Sequence, residues 1–229
     1  MSITVRAYDA ASDKRSNTTC IVEAFRADPS IRVLIPTDKE YNASFPRTTA
    51  NMVWALGASY GMSDVAVDKK GQICCSALWE PGAMTFMGAL RFIYMFGAMF
   101  VMSGFVKTLR AGAFFLALEG KRHKHAPTAD HLQILGTLPT EQSKGFGGQN
   151  IKRGIERATA KGVPCYLEST NARNVPFYKR HGFRVVEEYY HWEKEGAVDG
   201  DGKLVKGRGP VVTLMIRDVE SSAAAKKAK

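Results

Sequence analysis

The chain has 229 residues, 45% of them apolar, and a formal charge of +10. That is length for one large domain or two small ones and apolar content for a substantial core, which excludes a disordered chain. The positive excess is spread along the chain and includes Lys226, Lys227 and Lys229 at the end; it favours an anionic ligand and excludes a dense nucleic-acid-binding block.

Cys20, the adjacent Cys74 and Cys75, and Cys165 give no disulfide framework. No CxxC or HExxH spacing offers metal ligands, so a reduced, cytoplasmic protein without a metal is expected. The opening MSITVRAYDAASDK has no apolar signal core.

In chain order, Ile3 to Tyr8 alternates apolar and polar residues, as a half-buried strand does. A helix is expected from about Ala11 to Arg26, broken by Asp28-Pro29. A second helical region runs from about Lys39 to Tyr60, interrupted near Pro46, with Gly61 as its C-cap. Val65–Val67 and Ile73–Trp79 read as a hairpin around Asp68-Lys69-Lys70-Gly71. The very apolar stretch from Ala83 to Glu119 is uncharged from Phe92 to Val106. Those 15 residues fall short of the ~20 needed to span a bilayer. Two buried helices are expected there, with a membrane-surface helix as the alternative. Lys121 to Pro127 reads as a solvated basic link.

From His131 to Phe183 the pattern is strand, glycine-rich turn, helix, strand, short helix, strand. HLQILGTLP ends in a proline. The helix from about Gly145 to Lys161 keeps Ile151, Ile155 and Ala158 on one face, and Gly162 with Pro164 stops it. A strand to about Trp192 follows. Gly196 to Gly209 is turn-rich and expected to be mobile, and Pro210 to Ile216 is a last strand. The order gives one mixed α/β domain with helices on both faces.

The turn itself is an anion site. The first amides of a helix have no internal partner, and the dipole end is positive. Gly145, Gly147 and Gly148 let a phosphate approach the backbone, and Lys144 adds charge. The glycines alone fit a tight packing turn equally well. Neither GxxxxGK[ST] nor GxGxxG is present.

Gln142-Ser143-Lys144-Gly145-Phe146-Gly147 is similar to the Q/R-x-x-G-x-G/A signature of the GNAT superfamily of acetyltransferases. LGTLP resembles that family's strand end before the turn, with Thr137 for the usual valine; Ser143 stands at a common glycine. STNARNVPFYKRHGF resembles its second cofactor motif, and the run from Gly162 to Phe183 is similar in particular to the puromycin N-acetyltransferase-like branch. The resemblance implies a single mixed, mostly antiparallel sheet of about seven strands, splayed between the fourth and fifth. The domain would span 1–219, with 220–229 a disordered basic tail. It implies acetyl-CoA as co-substrate: the pantetheine arm against Leu135, Gly136 and Thr137, and the pyrophosphate on the amides from Ser143 to Gly148, Phe146 included. Asn171, Asn174 and Phe177 complete the cofactor set, the asparagines also being candidate helix caps.

Acetyl transfer to an amine requires loss of an ammonium proton, stabilisation of an oxyanion, and protonation of the departing thiolate. By the resemblance Tyr178 is the candidate acid. Glu168, ending the strand PCYLE, is the candidate base or acceptor anchor, with an ion pair to Arg173 as its structural rival. His131 and Asp130 are weaker candidates. Cys165 should point into the core with Leu167, so no covalent intermediate is expected. The expected partners are acetyl-CoA and an amine acceptor, most simply a small molecule. A protein or peptide acceptor, or an idle acyl-CoA-binding module, is the alternative. No nucleic acid is expected, membrane association is disfavoured, and a homodimer is left open.

Overall fold

The computed structural model describes residues 2–57, 61–82, 86, 90, 93, 94, 97, 100, 104–191, 197, 198, 204, 205 and 210–219. Strands β1 (Thr4–Ala7), β2 (Asp64–Val67), β3 (Ile73–Glu80), β4 (Asp130–Thr137), β5 (Cys165–Ser169), β6 (Arg184–Tyr190) and β9 (Val211–Arg217) form one sheet. The order across it is β1-β2-β3-β4-β5-β9-β6. β4 and β5 run parallel and the other neighbours antiparallel. β7 (Ala197–Val198) and β8 (Leu204–Val205) pair separately, so the turn-rich segment holds a small hairpin.

Helices cover both faces. α5 (Phe146–Lys161) and α6 (Val175–Arg180) pack on one side, where Trp79, Leu132 and Leu167 meet Ile151, Ile155, Ala158 and Tyr178. On the other side lie α1 (Lys14–Ala24), α2 (Pro29–Leu34), α3 (Asp38–Met52) and α4 (Phe105–His125). There Ile21 meets Leu78 and Ile134, and Val33, Phe114 and Leu118 meet Tyr166 and Leu214. Asp28 caps α2 with Pro29 in the first turn, its carboxylate accepting from the amides of Ser30 and Ile31.

Gly154 sits mid-helix in α5, where glycine costs about 1 kcal/mol against alanine. Its reason is Trp79: a Cβ at Gly154 would fall 2.2 Å from the indole. The helix can approach the sheet this closely only with a bare backbone there.

Three expectations are corrected. α3 runs through Pro46 without a break and passes into a wide π-type turn, Val53–Gly57. Tertiary packing outweighs the lost backbone bond: Tyr41 and Phe45 are buried against Val22, and the Tyr41 hydroxyl donates to the Val22 carbonyl at 2.6 Å. Lys121 to His125 is helix, not loop. Arg122 is buried, paired with Glu119 and donating to the Gly82 carbonyl, while Lys121 and His125 pair with Glu187 of β6. The apolar stretch is not wholly buried. Phe86, Leu90, Ile93, Tyr94, Phe100, Phe105, Val106 and Leu109 are all exposed. No helix among the described residues is long and apolar enough to cross a membrane. The tail from 220 lies outside the described residues.

Candidate active site

The site begins with an irregularity in β4. Opposite β3, Ile134 pairs with Leu78 but Leu132 pairs with Trp79, so Gln133 is an extra residue. A bulge of this kind bends a strand and ends its pairing on one side. Pairing with β5 indeed stops there: it covers Asp130–Cys165, His131–Tyr166 and Leu132–Leu167 only. Beyond it β4 continues to Thr137 on β3, while β5 continues to Ser169 on β9. The two strands therefore part, leaving a gap between Gln133–Thr137 and Glu168–Ser169. The expected splay is present.

The cofactor candidates line one end of this gap. Gly145 precedes α5 at φ +93°, and Ser143 is left-handed at φ +63°. The glycine common at Ser143's position thus has a conformational reason. The first backbone bond from the start of α5 runs from the Gln149 amide to the Gly145 carbonyl. The amides before it, at Phe146, Gly147 and Gly148, are the ones a phosphate could use. The Phe146 side chain is buried against Ala66, Cys74 and Cys75, so only its backbone is available. Gly147 also serves packing: a Cβ there would lie 3.3 Å from Thr137 Oγ1 and 3.6 Å from the Phe177 ring. At Gly148 it would lie 3.5 Å from His181.

Gln142 is exposed, its amide 3.4 Å from the Thr137 carbonyl, and Lys144 pairs with Glu141 at 3.1 Å. Gly136 is buried beneath Ala24 and Phe25, and Leu135 packs toward Phe146 and Tyr178. Asn171 is a cap: its side chain accepts from the Arg173 amide. Asn174 stands at the start of α6 without a side-chain cap bond.

The two catalytic candidates stand on opposite faces of the gap. Strand alternation puts Leu167 on the α5 side, where Tyr178 packs with it, and puts Tyr166 and Glu168 on the α4 side. Burial above all, then Cys75 and Asp28, pushes the Tyr178 phenol well above its ordinary pKa, so it keeps its proton. Glu168 pairs with His131 and not with Arg173: its Oε2 is 2.6 Å from Nε2. The other ring nitrogen, Nδ1, is 2.8 Å from Glu80 Oε1. Asp130 turns to the opposite face and pairs with Lys161 of α5 at 2.9 Å, away from Glu168. Cys165 is in the core as expected.

Glu80 is the residue sequence reasoning missed. Its one signal is a charge closing the otherwise uncharged strand ICCSALWE. The wall of the Glu168 side comes from α2 and α4, through Val33, Leu34, Phe114 and Leu118. α3 packs on α1. Among the described residues no cluster of His, Cys, Asp or Glu could hold a metal ion.

Residues 111–183 match the model of the Acetyltransferase (GNAT) family. A curated relative, the uncharacterized N-acetyltransferase YjcF of Bacillus subtilis, is 36% identical over 58 residues, 25% of this chain and 41% of that one. The match thus spans about two-fifths of the relative's length. Among solved structures, a histone acetyltransferase HPA2 and related acetyltransferase from Corynebacterium glutamicum superposes with a TM-score of 0.66. It is 21% identical, covering 96% of this chain and 98% of that one. The arylalkylamine N-acetyltransferase 2 of Aedes aegypti gives 0.61 at 15% identity, covering 96% and 100%. The polyamine N-acetyltransferase of Drosophila melanogaster, which forms N-acetylagmatine, gives 0.58 at 16%, covering 95% and 100%. At these identities the likeness establishes a shared fold.

Proposed function

We propose that this chain, which has the GNAT fold and matches the Acetyltransferase (GNAT) family over residues 111–183, is an acyltransferase. The reaction is transfer of acetyl from acetyl-CoA to the primary amine of a small molecule, by direct attack in a ternary complex. One observation carries this reading: the gap between β4 and β5 has Glu168 on one face and Tyr178 on the other.

Acetyl-CoA, when bound, supplies the thioester carbonyl and the thiolate leaving group. The residues that would hold it are Leu135 to Thr137 along the arm, the amides of Ser143 to Gly148 with Gln142 and Lys144 at the pyrophosphate, and Asn171, Asn174 and Phe177. An alkylammonium has a pKa of ~10 and cannot attack until it loses a proton. Glu168 takes that proton on the acceptor side. Backbone N–H groups of β4 between Gln133 and Thr137, unpaired toward β5, stabilise the oxyanion. Tyr178, kept protonated by burial, gives its proton to sulfur on the far face. Opposite faces suit the reaction, because nucleophile and leaving group occupy different sides of the tetrahedral centre.

A small-molecule acceptor is supported by the polyamine and arylalkylamine acetyltransferases of the same fold, and by the resemblance of Gly162 to Phe183 to the puromycin N-acetyltransferase-like branch. Calorimetric titration with acetyl-CoA tests the donor; absence of binding defeats the reading. Thiol release across panels of amines and peptides tests the acceptor. Turnover confined to peptides would replace the small molecule by a protein, and binding without turnover would leave an idle module.

A further inference from the structure

The proton-accepting carboxylate does not stand alone. Glu80, His131 and Glu168 come from three neighbouring strands and meet on one face: β3 pairs Glu80 with His131, and β4 pairs His131 with Tyr166, two residues before Glu168. The His131 side chain is 5% exposed, Glu168 9% and Glu80 20%. An imidazole bridging two carboxylates at 2.8 and 2.6 Å in so enclosed a place is a built arrangement, not a solvated pair.

We propose that His131 is the positioning residue of the reaction: as a cation held by Glu80, it fixes Oε2 of Glu168 and leaves Oε1 to take the acceptor's proton. The proposal rests on the reading of Glu168 as the base. Two carboxylates facing each other without a cation resist ionising together, so Glu168 would be pushed toward its useless protonated form. An imidazolium between them offsets that repulsion, and two carboxylates with one imidazolium leave one net negative charge to draw a cationic amine. The proton step balances: an ammonium N–H bond breaks, the Glu168 Oε1–H bond forms, and neutral amine remains.

Three further features fit. The charged groups around the trio are Arg122 and Glu119 of α4, which pair with each other while Arg122 also faces Glu80 and Glu168 and Glu119 faces His131. The Tyr166 ring lies 5.4 Å from that of His131, and its hydroxyl faces Glu168, which after burial is the main cause of the phenol's raised pKa. Burial pulls the imidazole toward its neutral form, but Glu168 and Glu80 outweigh this, and its pKa is raised to about 10.

The test has two arms. In 15N-histidine spectra of the whole protein, both His131 nitrogens carry protons from pH 6 to 9; a neutral ring at pH 7 overturns the proposal. In steady-state rates with acetyl-CoA and phenethylamine as acceptor probe, His131→Gln moves the acid limb of the kcat profile to higher pH by about a unit or more. It lowers kcat at pH 7 by ~10–100-fold, within the range of acid–base effects, with KM for acetyl-CoA unchanged. Glu80→Gln, which removes a carboxylate and keeps the cation, moves the limb to lower pH. A purely structural histidine would lower stability in both variants without moving either limb, and that result overturns the positioning role. Glu168→Gln separates the two ideas: retained turnover there sinks the base itself. Loss there, with unmoved limbs in the other variants, sinks only His131.

Discussion

The indole of Trp79 lies so close over Gly154 that a single added methyl carbon would sit 2.2 Å from it. This contact sets the distance between α5 and the sheet, and with it the place of the glycine turn that begins α5. Gly154→Ala should therefore destabilise, although alanine is the better helix former. Overpacking of this kind costs about 1–3 kcal/mol, and for a chain of this size each kcal/mol lowers Tm by ~2–4 °C. Trp79→Phe in the same background should recover part of the loss. Calorimetry on the three proteins decides it, and a higher Tm for Gly154→Ala would refute the contact.

Ser143 holds a left-handed backbone at φ +63° beside the turn. For a residue with a Cβ this costs roughly 1–2 kcal/mol. Ser143→Gly should keep acetyl-CoA affinity and raise stability by up to about 1 kcal/mol. Ser143→Val should lose both stability and affinity, because a β-branched side chain resists this region most. Equal calorimetric affinities for the serine and valine proteins would show that the turn's handedness does not matter.

Tyr178→Phe should lower kcat by ~10²-fold or more while acetyl-CoA binds as before, since only the hydroxyl is lost from a ring that remains packed with Phe177 and Phe183. A pre-steady-state acetyl-transfer rate equal to wild type would remove the phenol from the reaction.

Stability should fall at both ends of the pH range, for different reasons. His131 has a raised pKa in the folded chain. Its contribution is complete below its ordinary value of ~6.5 and is lost as pH rises through about 10. Asp13 is held low, first by its hydrogen bonds to Arg6, against burial. Its contribution is present above the ordinary carboxylate range and is lost as pH falls below it. Urea unfolding from pH 3 to 10 measures both. The alkaline decline should flatten in His131→Gln and the acid decline in Asp13→Asn.

What could be read from the sequence was local. The glycine-rich turn, the α5 stripe and the Phe177-Tyr178 helix each declare themselves within a few neighbouring residues. Pro46 misled because the burial of Tyr41 and Phe45 is a tertiary fact. The stretch after Ala83 misled because composition measures how apolar a segment is, not what covers it; Phe86 is 77% exposed. The Glu80–His131–Glu168 trio was beyond reach for another reason. It depends on cross-strand register, which sets Glu80 opposite His131 and His131 opposite Tyr166, while one extra residue at Gln133 turns the side chains after it by a face.

That extra residue divides the molecule. With β4 and β5 joined through only three residue pairs, the sheet consists of a four-stranded plate and a three-stranded plate sharing a short seam. A donor lying in the opening would act as the missing strand, knitting the plates into one ladder. Occupancy should then be felt far from the ligand. At a concentration 100 times Kd, binding adds about 2.7 kcal/mol to the folded state, and slowed amide exchange along Gln133–Thr137 would mark where the plates are stitched.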